Sequence, residues 1–541
     1  MEKAEQNITR LKQLKTHRAL WEPHWQEVVD YIMPDRPGVT RTTQPGQKKT
    51  NKIYDDTAGE ALDLFSSGLA GMLTNEAMPW FALRAVDKQL NDADDVKAWL
   101  EDTESVLYEA FTISRLYQEL FSAYQDLGGV GTTSLSIEPG ERQPLAFKTR
   151  FINSIYIAED KDGNVDTHYR MENMTARQID QQWPNGGSEE VTQALANNEP
   201  DKEFEVLHAV YPRSDRDASK VDAENMLWES IYLETDKKHI LETGGYHEFP
   251  FAVPRFKKLG SEWYGRSCGM RALADTKMLN EMCRTTLRAA QKAVDPPLQG
   301  PDEGYIMPLR TGPGGVNYRS PHLKGDEFKA MDFHADVGLG LEMEEQRRAA
   351  IRAKFYWDLW LLSDSPQKTA YEVARRYDQA TKLLGPQLMR VQIELLRTII
   401  LRSFGILSRS GDILPPPDSL RRAGVKVEYI SPIAKMQRLY QARALQSAFA
   451  FVAPLSERSP DIYDRIDPDE VVDLAIDLFG VPQKVLRTKD RVKAIRKGRQ
   501  EAEYRETQRR AIGESVDIAE KASKADPGAG LLSLLQPQGD A

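Results

Sequence analysis

The sequence predicts an α+β fold that is mainly helical, and three observations carry that prediction. Apolar residues recur at helical spacing over the first 126 residues and again from about residue 266 onward, so each of these segments offers one face to a core. Between them, from roughly 130 to 260, the period changes to the alternation of half-buried strands. A Gly/Pro-rich insert at 295 to 340 then separates two long helical patterns, which suggests a hairpin-like stalk carrying a small tip.

Composition bounds the rest. The chain has 541 residues, 40% of them apolar, enough for several ordinary domains with buried cores. No window approaches the ~18 uninterrupted apolar residues of a membrane span, and the start, MEKAEQNITRLKQLK, is polar rather than signal-like, so no membrane partner and a cytoplasmic chain are expected. Two cysteines, Cys268 and Cys283, are too few for a disulfide framework and read as reduced packing residues. A net charge of −10 argues against a generic nucleic-acid coat, so any DNA contact has to be local.

Taken in order, Trp21, Trp25, Val28 and Ile32 form an amphipathic helix with Pro23 in its first turn and Pro34 ending it. Thr57-Ala-Gly-Glu60 has the pattern of a capping box opening a helix with Leu62, Phe65, Leu69 and Leu73 on one face. A third helix is expected from Asp94 to Asp126. Strands follow at SLSI, FKTRFINSIYIAED and NVDTHYR, with a hairpin turn at Lys161-Asp-Gly-Asn164, and then at FEVLHAVY, MLWESIYLE and HILE. Helix resumes from Arg266 to Ala293, stops at Asp295-Pro-Pro297, and returns as LEMEEQRRAAIRAKFYWDLWLL. Beyond Ser363-Asp-Ser-Pro366 a long helix places Val373, Tyr377, Ala380, Leu384, Leu388, Val391 and Leu395 on one stripe, with a kink expected at Gly385-Pro386. After Pro415-Pro-Pro417 the chain is helical again to about Ala525.

WYGRSCGM, residues 263 to 270, contains G-x-S-x-G just ahead of a helix, the pattern of a hydrolase nucleophile elbow around Ser267. An elbow needs an apolar strand running into it, and here FKKLGSEW intervenes. The downstream histidines, His322 and His334, both lie in the Gly/Pro-rich insert. The simpler reading is that Ser267 caps the helix and Gly265 supplies the turn. There is no P-loop and no H-E-x-x-H, and no catalytic residue, cofactor or metal site is expected.

Two helices carry basic patterns. Lys277, Arg284, Arg288 and Lys292 share one face of the 266 to 293 helix, either a solvated face or a strip toward a polyanion. From Arg487 to Arg510 ten Lys/Arg stand against four Asp/Glu, a local net of +6; Arg491, Lys493, Arg496 and Lys497 lie in this segment, again solvated or facing DNA.

The segments RALWEPHWQEVVDYIMPDR, DDTAGEALDLFSSGLAGMLTNEAMPWFAL, LGGVGTTSLSIEPG, FINSIYIAEDKDGNVDTHYRMENMTARQI and SEWYGRSCGMRALADTKMLNE, in this order, resemble the head-to-tail connector, or portal, proteins of short-tailed bacteriophages, over roughly residues 10 to 500. The resemblance implies a ring of about twelve copies at one capsid vertex, assembled in the host cytoplasm and carried in the virion, with a central channel for double-stranded DNA. It further implies a portal-type division of the chain: a wing at 1–263, stem helices at 264–294 and 341–362, a clip at 295–340, a channel loop at 363–368 with Lys368, a long wing helix at 369–431 and a helical crown and tail at 432–541. Thr311, Gly312, Pro313, Asn317 and Arg319 would then lie on the clip, where a terminase large subunit docks. Major capsid, scaffolding and tail adaptor proteins are the other implied partners. A serine hydrolase using Ser267, or a helical scaffold without a channel, are the alternatives.

Overall fold

The computed structural model describes residues 2–44, 46–87, 90, 93–217, 219–220, 222–300, 308–311, 314–318, 329–331, 337–361, 382–421, 424–430, 444–450, 467–479 and 489–525. They divide into two compact units, Met1–Val86 with Asp102–Gln441, and Asp87–Glu101 with Ala442–Ala541.

The first unit opens with α1 (Glu2–Arg18) and α2 (Glu22–Tyr31), the latter with Pro23 in its first turn as expected. Arg18, at the end of α1, is buried and donates to the carbonyls of Ile152, Asn153 and Ile155 at 2.7–3.2 Å, so the helix end is tied to the sheet that follows. Helix α3 (Thr57–Leu73) buries Leu62, Phe65, Leu69 and Leu73. The expected capping box is not there: Thr57 is already the first helical residue, and its N–H donates to the Asp55 side chain at 3.0 Å. Strand β1 (Phe81–Ala85) comes next, then α4 (Asp94–Ile113), which belongs to this unit from Asp102 onward, and α5 (Leu116–Gly129). The single helix expected here is broken at Arg115, whose φ is 57°, while Ser114 Oγ accepts the Leu145 N–H at 3.2 Å.

The strand region is antiparallel throughout, as its alternation predicts. Strands β2 (Ser134–Pro139), β3 (Leu145–Arg150) and β9 (Phe251–Ala252) form one sheet in the order β3-β2-β9. Strands β4 (Ile155–Glu159), β5 (Val165–Thr175), β6 (Glu203–Pro212), β7 (Trp228–Glu234) and β8 (His239–Tyr246) form a five-stranded meander. The β4–β5 turn uses Gly163 at φ 83°, with Asp160 Oδ1 accepting the N–H groups of Asp162 and Asn164 at 2.8 Å. Leu11 and Leu14 of α1 pack on one face of the meander with Tyr169, Leu207, Ile231 and Leu233. Its other face takes α6 (Ala176–Gln182) and α7 (Glu189–Ala196), which supply Ile179, Trp183, Val191 and Ala194. These two helices were not foreseen, because each is too short to show a helical period.

Helix α8 (Cys268–Val294) begins two residues later than expected and is the longest of the first unit. Short strands β10 (Leu298–Gln299) and β11 (Lys329–Ala330) pair beyond it. Helix α9 (Val337–Lys354) starts before the expected Leu341 and stops short of Leu362: the chain turns at Tyr356, φ 58°, into the single turn α10 (Trp357–Trp360). Trp360 docks on α3 at Gly68, where a Cβ would lie 2.2 Å from the indole. The expected loop at 363–368, with Lys368, and Val373, Tyr377 and Ala380 lie outside the described residues. Helix continues over 382–391, widens through a π-type turn at Gln392–Leu396 and runs on as α11 (Arg397–Ser410). Leu384, Leu388, Val391 and Leu395 are buried as the stripe predicts, and the irregularity falls at Gln392–Leu396 rather than at Gly385-Pro386. Strand β12 (Val425–Tyr429) returns to pair with β1, Phe81 opposite Tyr429.

The second unit contains α12 (Pro468–Phe479) and α13 (Lys489–Ala525). Arg496 forms a two-pronged pair with Asp469 at 2.5 Å.

Candidate functional site

The WYGRSCG segment is positioned by the end of α5. Gly131, φ 86°, would place a Cβ 2.4 Å from the Gly265 carbonyl, a Cβ on Gly265 would meet the Gly131 carbonyl at the same distance, and one on Gly269 would meet that of Gly129 at 2.6 Å. The glycines of LGGVG and of WYGRSCG therefore let two backbones cross in contact. Gly265 does not occupy a left-handed conformation; its place is explained by this approach and by its N–H donating to Thr132 Oγ1 at 2.7 Å. Beside the crossing, Asp126 is fully buried; burial pushes its carboxyl up to about 7, against the opposing pull of Arg36 at 2.8 Å and of Thr133 Oγ1 at 2.9 Å.

Ser267 is 2% exposed. Its hydroxyl donates to the Gly129 carbonyl at 2.6 Å and accepts the Met270 N–H at 2.9 Å, which makes it the N-cap of α8. A nucleophile needs its proton directed at a base and its oxygen open to a substrate, and this hydroxyl has neither. Burial pushes the neighbouring Cys268 thiol up to about 12 and the Cys283 thiol up to about 11, so neither is a reactive thiolate.

Past this crossing α8 and α9 form the expected hairpin. Thr286 lies beside Gly340, Arg348 reaches Cys283 Sγ at 3.8 Å, and Asp275 pairs with Lys354 and, at 3.3 Å, with Arg347, bonds that hold the Asp275 carboxyl below the usual carboxylate range. Two bonds attach the hairpin to the segment before α3: Asn280 Oδ1 accepts the Tyr54 N–H at 2.7 Å, and Arg348 Nε donates to Asp55 at 2.9 Å.

The basic strip lies on α8 opposite α9. Lys277 pairs with Glu27 at 3.0 Å and sits over the Tyr31 ring, Arg284 is half-buried beside Glu281 at 3.4 Å, and Arg288 and Lys292 are exposed in the last turns. Of the acids of α9, Glu344 is buried and bonds Arg348 at 3.2 Å, and Glu345 bonds Arg348 and Arg352 at 3.4 and 3.1 Å, while Glu342 is exposed. Arg491, Lys493, Arg496 and Lys497 are exposed on α13. Thr311 and Asn317 are exposed, Asn317 bridging the Arg310 backbone at 2.6 and 2.9 Å; Gly312, Pro313, Arg319, His322 and His334 lie outside the described residues. Sequence reasoning missed the buried Arg255, which joins Glu159, Glu394 (2.7 Å) and the Gly163 carbonyl (3.0 Å) and so ties the β4–β5 turn to the π-type turn. No spacing in the sequence relates these residues.

A glycine crossing that seats a capped helix, and a two-helix hairpin carried on a mixed α+β body, leave Ser267 as a helix cap rather than a nucleophile. The chain belongs to the bacteriophage head to tail connecting protein family, whose sequence profile matches residues 4–486. It is 30% identical over 528 residues to the probable portal protein of Bordetella phage BPP-1, covering 96% of this chain and 95% of that one. It is 29% identical over 511 residues to the portal protein of Salmonella phage epsilon15, covering 92% and 91%. Among solved structures, the neck of an empty GTA particle covers 78% of this chain and 95% of its own, at 11% identity and a TM-score of 0.36.

Proposed function

We propose that this chain is a phage portal subunit. Copies close into a ring at one capsid vertex, double-stranded DNA enters and leaves through the central channel, and the subunit does no catalysis. The observation that carries the reading is similarity to two phage portal proteins over more than nine-tenths of the chain, in a family matched from residue 4 to 486. The burial and hydrogen bonding of Ser267 support the non-enzymatic part. The acidity of the chain fits a conduit: a wall that neutralised phosphates tightly would trap the duplex, whereas a few basic rings, such as Lys277, Arg284, Arg288 and Lys292 repeated by symmetry, suffice to centre it. A motor of the terminase type supplies the work and docks at the tip of the hairpin around Thr311 and Asn317; capsid, scaffolding and tail adaptor proteins bind the outer parts.

The experiment is complementation. Capsids assembled in cells lacking this chain should form without DNA, and supplying the chain in trans should restore filled particles. Equal DNA filling with and without the chain would contradict the reading.

A further inference from the structure

The α8–α9 hairpin exposes apolar residues on two opposite sides. At about 100° per residue, the stripe Met278, Met282, Thr285, Ala289 lies about 170° around α8 from Asn280. The stripe Met343, Gln346, Ala350, Ala353 lies about 180° around α9 from Arg348. Asn280 and Arg348 both bond the Tyr54–Asp55 segment, so both stripes are on the side of the hairpin turned away from it. On the other side Leu287 lies within about 20° of Asn280, and Leu341 within about 20° of Arg348, each about two turns farther toward the tip. Met278, Met343, Leu287, Leu341 and, at the end of α8, Val294 are between 48% and 86% exposed.

Spacing and shape name what covers these sides. The steps of 4-3-4 along α8 and 3-4-3 along α9 are those of helices received by other helices, with Thr, Ala and Gln between the methionines leaving room for knobs. A slab with exposed apolar residues on both sides has something to cover on each, and a copy of the same slab offers the opposite side to each. One side packed on the other is a heterologous contact, the kind that closes into a ring. Most charges lie toward the edges of such a contact: Lys277 and Arg288 are about 60° and 80° around α8 from Asn280. Arg284, at about 40°, flanks the contact and pairs with Glu281 at 3.4 Å, and Glu345 is bonded to Arg348 and Arg352 within its own chain.

We propose that, in the ring described above, the Met278–Met343 side of one copy packs on the Leu287–Leu341 side of the next, with the basic strip left on the edge of the wall. This rests on the ring reading and assigns its contact.

The test uses the full chain with Cys283→Ser. Met282→Cys and Leu287→Cys, on opposite sides of one helix, are combined and treated with a short bis-maleimide. The expected result is a ladder of cross-linked multimers on a denaturing gel, absent from either single-cysteine variant. In parallel, Met343→Glu and Leu341→Glu, each exposed in the subunit, should leave circular dichroism unchanged while lowering ring affinity about tenfold or more, because each buries a charge in the contact. Rings that persist in both Glu variants, with no ladder, would overturn the contact while leaving the ring reading intact. Absence of rings from the unaltered chain would instead contradict the ring reading.

Discussion

Ser267 Oγ donates to the Gly129 carbonyl at 2.6 Å, 138 residues away in sequence, at the point where the end of α5 crosses the start of α8. One hydroxyl both caps the hairpin helix and fastens it to the body of the subunit.

Ser267→Ala should therefore cost about 1–2 kcal/mol, a cap plus a buried bond, without removing any activity. Gly269→Ala should cost more, about 3 kcal/mol, because its Cβ meets a backbone carbonyl that cannot yield. Gly71→Ala, with open space around it in α3, should be neutral or stabilising by about 0.4–1 kcal/mol. Urea midpoints of the three variants check the order; a Gly269→Ala protein as stable as the unaltered chain would mean the crossing is loose.

Acid should loosen the meander. His168, stacked on Phe251, and His208, stacked on Tyr232, are buried, each with Nε2 3.0 Å from a serine hydroxyl and Nδ1 without a partner. Burial first, and then Arg170 and Arg150, lowers both pKa values well below the ordinary histidine value. The sign follows: the unfolded chain takes up protons near pH ~6.5 that the folded chain refuses, so stability is full above that pH and falls below it, by up to about 1.4 kcal/mol per pH unit per histidine. His208→Phe should flatten the decline between pH 7 and 5.5. An unchanged slope would place the acid sensitivity elsewhere.

Neutralising Arg284 and Arg288 together should leave the rings intact, because exposed charges contribute little to stability, while weakening retention of packaged DNA in a salt-dependent way. Ring stability and DNA retention are read on the same variant. Loss of rings with no separate DNA defect would put this face in a subunit contact.

Deleting residues 311 to 319 should spare folding of the body, since a Gly/Pro-rich tip contributes little core, and abolish motor docking. Packaging assays on the deletion decide, with normal packaging as the contrary result.

Much of this was legible in sequence. Helix α2, the stripe of α3, the meander and the α8–α9 hairpin follow from periodicity, because each buries one face and that face is written in the local spacing whatever it packs against. The β1–β12 pairing was not legible: the strands are over 300 residues apart, and PWFALRA and VKVEY have no turn between them to announce a partner. The breaks at Arg115 and Tyr356 were hidden too, since non-glycine residues in the left-handed region are held there by packing rather than by their own preference. At the site, the cap role of Ser267 could be read from the helix that follows it. The reason for Gly265 and Gly269 could not, because it depends on LGGVG arriving from a distant helix.

The most direct test of the central claim is an image of the purified full-length chain by negative stain, paired with its native mass. A closed ring of identical subunits around a hole wide enough for a DNA duplex, about 20 Å, is the predicted result. A monomer or dimer without a channel across a wide range of concentrations would contradict it.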